Sequence, residues 1–170
     1  MNKDELKEYL KENLKLNIFN GHIELSIDAI GDLSQLCRWG VDWKTIQNNI
    51  HLWKSVENTV LNIHSTISIY NVNRLKELVD FAKTNNIFIN ADKLRRPEFL
   101  SINQFSLDQR KKWLLPGQDI VEKMFNNLIM NNEPILNNLE ETKKFNDSLD
   151  LYQKTSLKKY NKEIYDLIYD

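Results

Sequence analysis

Apolar and polar residues alternate in three separate stretches of this chain, and helical spacing fills the gaps between them. Ile23, Leu25 and Ile27 alternate with Glu24, Ser26 and Asp28, a period of two that predicts a strand. Residues 59–69 repeat the pattern, with Leu61, Ile63, Ile67 and Ile69 on one face and Asn62, His64, Thr66 and Ser68 on the other. Ile87–Ala91 predicts a third, short strand, with Ile87 and Ile89 on one face and Phe88, Asn90 and Asp92 on the other. After the first strand comes a loop carrying Arg38-Trp39-Gly40. Asp42 then suits an N-cap, and Trp43, Ile46, Ile50 and Trp53 mark a helix to about Ser55. Asn71 or Asn73 caps the next helix, whose apolar face is Leu75, Leu78, Val79 and Ala82, and Asn85-Asn86 ends it. Ahead of these elements, Leu6, Tyr9, Leu10 and Leu14 place a helix over about residues 4–15, and Asn20-Gly21 marks a turn.

Helical connections between strands predict a parallel sheet with right-handed crossovers. The second half reads as helical. A polar loop with Pro97 leads to a helix near Leu107–Leu114, which Pro116-Gly117 breaks. A further helix covers about Gln118–Asn131, a long one starts near Pro134, and a short one lies near Ile164–Ile168. The expected organisation is a barrel-like region over residues 1–105 and a helical extension over residues 106–170, packed together as one domain.

Open parallel sheets covered by helices on both faces have strands that are apolar throughout. Here each strand keeps one polar face, which fits a barrel wall whose inner side lines a lumen. The ligand end of such a barrel is at the C-terminal ends of its strands. Ser26, Asp28, Thr66, Ser68, Asn90 and Asp92 all lie toward those ends, and leaving them buried and unpaired would cost about 1–3 kcal/mol each. The alternative is that these side chains bond one another or water in a narrow sheet. His64 suits a satisfied interior histidine better than a ligand or base, and Trp39, Trp43 and Trp53 suit packing anchors.

Composition narrows the function classes. The 170 residues are 41% hydrophobic and 28% charged, with a formal net charge of -1, so no whole-chain electrostatic case for nucleic acid exists. The basic runs Lys93–Arg96 and Arg110–Lys112 read as solvated surface rather than as a phosphate site. No apolar run approaches the roughly 18 residues of a membrane span, and the charged, amphipathic N-terminus is not a signal peptide. No nucleic-acid or membrane partner is therefore expected, and the expected compartment is the cytoplasm. Cys37 is the sole cysteine, which excludes an internal disulfide and any cysteine-built zinc or iron–sulfur site within the chain. It reads as a small, partly buried hydrophobe. No nucleophile–base–acid triad, Gly-rich phosphate loop or metal-spaced His/carboxylate cluster is present.

Ser26-Ile27-Asp28-Ala29 stands twelve residues before the run Arg38-Trp39-Gly40-Val41-Asp42-Trp43. Asn49-Ile50, Thr66-Ile67-Ser68-Ile69-Tyr70-Asn71, Pro97-Glu98-Phe99-Leu100-Ser101, and then Leu149-Asp150 and Leu157 follow in order. This series resembles the twitch-domain-containing group of the radical S-adenosylmethionine (radical SAM) superfamily, many of whose members come from phages and bacteria. The group's motifs are S-x-D-G, R-Y-G-x-x-W, an Asn-Ile pair, T-V-S-x-x-N and P-x-x-L-S, and the resemblance covers nearly the whole chain. It implies an α/β fold: a partial (β/α) barrel of radical SAM type, with about three parallel strands and crossover helices, followed by a helical C-terminal tail. It also implies S-adenosylmethionine as cofactor, with Ser26, Asp28 and Arg38 near its methionyl and ribose parts and Thr66 and Asn71 as further contacts. His64, Ser68, Asn90 and Asp92 would then face the substrate. In the intact family a [4Fe–4S] cluster cleaves S-adenosylmethionine to a radical that abstracts hydrogen from a substrate. This sequence has no C-x3-C-x2-C motif and no Gly-Gly-Glu segment, Ala29 replaces the glycine of S-x-D-G, and no C-terminal cysteines serve an auxiliary cluster. The resemblance thus implies the C-terminal half of such an enzyme, inactive alone and truncated or split, with a separate N-terminal half as partner. The alternatives are a non-catalytic half-barrel that pairs with such a half or with another partner, and an inactive remnant.

Overall fold

A computed structural model describes residues 2, 4–6, 8–9, 21–131, 133, 135–136, 138–154 and 156–170. Three strands, β1 (Gly21–Ser26), β2 (Thr59–Ile67) and β3 (Phe88–Lys93), form one parallel sheet in the order β1-β2-β3. The register sets Ile23 beside Leu61, Ser26 beside His64, His64 beside Asn90 and Thr66 beside Asp92. Between β1 and β2 come α1 (Leu33–Cys37) and α2 (Trp43–Lys54), and between β2 and β3 comes α3 (Leu75–Thr84). The helical remainder comprises α4 (Leu107–Lys111), α5 (Ile120–Ile129), α6 (Leu139–Gln153), α7 (Leu157–Tyr160) and α8 (Lys162–Tyr169). The chain is therefore mixed α/β, with a helical C-terminal region, as the periodicities predict.

One apolar cluster holds both halves together. Ile63, Ile67 and Ile89 from the sheet, Ile50 from α2, and Leu75, Leu78, Val79 and Ala82 from α3 share it with Phe125, Ile129, Leu157, Ile164 and Ile168. Burying each large aliphatic side chain contributes about 1.5–3 kcal/mol, which locks the helices to one face of the sheet. Trp43 sets its ring edge-on to Phe81 at 5.1 Å, the packing role expected of it, whereas Trp39 is 65% exposed.

Among the described residues, no element covers the other face. His22, Glu24, Ser26, Asn90 and Asp92 are exposed, Asn62, His64 and Thr66 are half-buried, and Phe88 is 72% exposed. A parallel sheet is ordinarily covered on both faces. The strands pair in chain order, and the connecting helices pack on one side of the sheet.

Several boundaries differ from the expectations for local reasons. Asn86 takes a left-handed φ of 50°, and the Ile87 N–H donates to the Ala82 carbonyl, so the third strand starts at Phe88. A 3-10 turn, Val72–Arg74, precedes α3, and neither Asn71 nor Asn73 caps that helix. The long helix begins at Leu139 rather than near Pro134. Of the helix expected over residues 4–15, residues 4–6 and 8–9 are helical, and residues 10–15 lie outside the described residues. No helix among the described residues is long and apolar enough to cross a membrane.

Helix α5 starts at Asp119, whose side chain accepts the Glu122 N–H at 2.9 Å and pairs with Lys83 at 2.6 Å. The hydrogen bond from Lys83, then that from Glu122, hold this carboxyl down to about 2. A carboxyl held below its unfolded value of 3.8 stabilises the fold above that value and loses the contribution as pH falls toward 2. Asp119→Asn is expected to flatten the loss of stability between about pH 4 and pH 2, read by thermal melts across that range. An acid limb identical to that of the wild type would refute the assignment.

Candidate functional site

Past a last backbone bond, from the Ile27 N–H to the His64 carbonyl at 3.2 Å, the C-terminal ends of β1 and β2 are tied by side chains. The Thr66 N–H donates to Asp28 Oδ1 at 2.7 Å. Arg38 brings Nε to Asp28 Oδ2 at 2.8 Å and Nη2 to Oδ1 at 3.4 Å. Arg38 follows directly on α1, and Gly40, at a φ of 84°, turns the chain behind it toward Asp42, whose carboxylate caps α2 by accepting the Thr45 N–H. Asn71, 1% exposed, donates from Nδ2 to the carbonyls of Asp28 (2.8 Å) and Thr66 (2.9 Å) and accepts the Ser68 N–H at 2.8 Å. Asp28, Arg38, Thr66 and Asn71 therefore come together, as expected of a site. Asp28 and Asn71 meet backbone groups of the chain itself. What remains open to a ligand is the Ser26 and Thr66 hydroxyls and Arg38 Nη1, which meets no acceptor among the described residues. Ser68 is buried, and its hydroxyl accepts the Tyr70 N–H at 3.2 Å.

On the bare face a row of ionisable groups crosses all three strands. His64 Nε2 is 3.1 Å from Asp92 Oδ2, and Nδ1 is 3.6 Å from Glu24 Oε1. Asn62 extends the row with a long hydrogen bond to Glu24, 3.5 Å. Ser26 and Asn90 flank His64 in register, and Asn90 is exposed. An imidazole placed between two carboxylates can take a proton from, or give one to, a ligand lying over the strand ends.

Beside this row opens a cleft of about 500 Å³, whose lining includes Thr66, Asp92, Lys93, Arg95, Asn131 and Glu133. The basic runs expected on the surface lie there only in part: Arg95, Arg96, Lys111 and Lys112 are exposed, whereas Lys93 and Arg110 are buried. Both placements follow from spacing. Lys93 falls on the same strand parity as Ile89 and Ala91, facing the core, and Arg110 is one helical turn after Leu107. Glu133 and Asn103, which meet these cations, carry no comparable signal.

The residues present do not fit an iron–sulfur cluster. Cys37 is half-buried, and burial, reinforced by Asp28, pushes its thiol up, away from the thiolate that ligation needs. Among the described residues no three His, Cys, Asp or Glu side chains are grouped to hold a metal ion. No family model matches the chain, and neither the curated proteins nor the solved structures contain a significant match.

Proposed function

We propose that this chain is one wall of a barrel-type ligand site, of the radical SAM kind its motifs resemble. The bare polar face of a parallel sheet, with Ser26, Asp28, Arg38 and Thr66 at its upper rim, carries the reading. In it, Arg38 Nη1 and the hydroxyls of Ser26 and Thr66 hold S-adenosylmethionine, with Asp28 and Asn71 fixing the rim. His64, Asn90 and Asp92 face the substrate, and His64 is the group able to move a proton there. The cluster and its cysteines belong to a complementary segment outside these residues, so no redox step is assigned to this chain.

Adding S-adenosylmethionine to the purified, isotope-labelled chain is expected to shift the backbone resonances of Ser26, Arg38 and Thr66, weakly and saturably. Arg38→Ala should remove the shifts. Unmoved strand-end resonances at millimolar cofactor would refute the cofactor assignment.

Phe88 and Val60 support a second reading, a non-catalytic half-barrel. They are exposed at the lower end of the bare face, where a cleft of about 400 Å³ also includes His22 and Glu24 in its lining. An exposed phenylalanine on a sheet suits a partner's cover more than water. The outer edges of β1 and β3 carry no strand among the described residues, so each can take one from a partner.

A further inference from the structure

Two basic stretches, separate in sequence, each send their first residue inward to the same place. The Lys93 ammonium reaches the Glu133 carboxylate and lies 3.4 Å from Asn103 Oδ1. Arg110, fully buried, donates from Nη1 to that same oxygen at 3.3 Å and to the carbonyls of Ile129 (3.1 Å) and Asn131 (3.3 Å). Its Nε and Nη2 have no acceptor among the described residues. Glu133 is shared further, accepting from Asn103 Nδ2 at 2.8 Å and Asn131 Nδ2 at 3.0 Å.

The charges do not balance. Two buried cations meet one carboxylate, and the end of α5 beneath Arg110 adds only about half a negative charge. Each buried ion costs several kcal/mol unless it is matched. Burial accordingly draws the Arg110 guanidinium below its ordinary value, against the pull of Glu133. Of these cations Lys93 lines the 500 Å³ cleft, Arg110 lies behind it across the shared Asn103 oxygen, and Arg95 adds an exposed cation at the lining. Of the two acidic lining residues, Asp92 is engaged by His64 and Glu133 by Lys93.

We propose that this cleft binds a small oxyanion, a phosphate or carboxylate group, between Lys93, Arg95 and the Thr66 hydroxyl, with Arg110 adding positive charge through the Asn103 oxygen it shares with Lys93. Glu133 competes with that anion for Lys93. The site shares Thr66 with the proposed cofactor rim and Asp92 with the bare face, but its cations, Lys93, Arg95 and Arg110, have no part in the cofactor assignment, so a failure of either is distinguishable from a failure of the other.

The test titrates the full chain with inorganic phosphate, with acetate and with chloride at constant ionic strength, followed by calorimetry and amide resonances. Phosphate or acetate is expected to saturate, shifting Lys93, Arg95 and Asn131, and whichever binds more tightly identifies the anionic group. Removing one charge-assisted hydrogen bond by Arg95→Gln should weaken binding about ten-fold, and Glu133→Gln should tighten it. Arg95 is exposed, so that variant reports on binding without endangering the fold. Shifts that fail to saturate, or that chloride reproduces, overturn the proposal. So does an Arg95→Gln variant that binds like the wild type, which would leave the cluster as a purely structural anchor for Ile129, Asn131 and Glu133.

Discussion

Replacing Asn71 with alanine is expected to destabilise the fold by about 3–5 kcal/mol, since each buried group left unpaired costs about 1–3 kcal/mol. Three groups lose their partner at once: the carbonyls of Asp28 and Thr66 and the Ser68 N–H. Water cannot readily replace the amide, because Asn71 and Ser68 are both buried. Asn71→Asp separates the two halves of the effect. It keeps an acceptor for Ser68 but turns a carboxylate toward two carbonyl oxygens, so it should be no better than alanine. Urea denaturation measures both variants, and a loss under about 1 kcal/mol for Asn71→Ala would mean that the tie is not made in solution.

Asp28→Ala should cost about 2–4 kcal/mol and Arg38→Ala about 1 kcal/mol, an asymmetry set by what each leaves behind. Asp28 is 8% exposed and accepts both Arg38 and the Thr66 N–H, so its loss strands a backbone donor as well as the guanidinium. Arg38 has a side chain 40% exposed, and water can take over its role. In the double variant the Arg38 change should add almost nothing, because its acceptor is already gone. Equal single-variant losses that sum in the double variant would show that the two side chains act independently.

The fold was largely legible from the period-two stretches and the helical spacing between them, because both report on burial. Legibility failed where a residue departs from the chemistry of its face. Ser65 lies on the apolar side of β2 between Ile63 and Ile67, fully buried, with a hydroxyl that finds no partner among the described residues. Lys93 does the same at the end of β3. In both cases the parity was available, but residue type argued against burial. The helix α1, five residues long, fell in a stretch expected to be a loop, too short for its spacing to register. For the site, strand-end position singled out Asp28 and Thr66, and the motif resemblance added Arg38 and Asn71. It could not say that Asp28 and Asn71 would turn to the backbone, since that depends on where the chain ends of two strands meet. Glu133 was beyond reach because its partners Lys93 and Asn103 are distant in sequence, and Asn103 because it lies in a short 3-10 turn with no periodicity to mark it.

Thr66 belongs to two neighbourhoods at once. Its N–H is held by Asp28, its carbonyl by Asn71, and its residue forms part of the wall of the cleft next to β3. A ligand that shifted Thr66 toward the cleft would pull on its bond to Asp28, the residue that also holds Arg38. Any change it made in affinity at Arg38 would be returned by the same factor, since coupling between two binding sites is reciprocal. The two proposed places meet at one strand end.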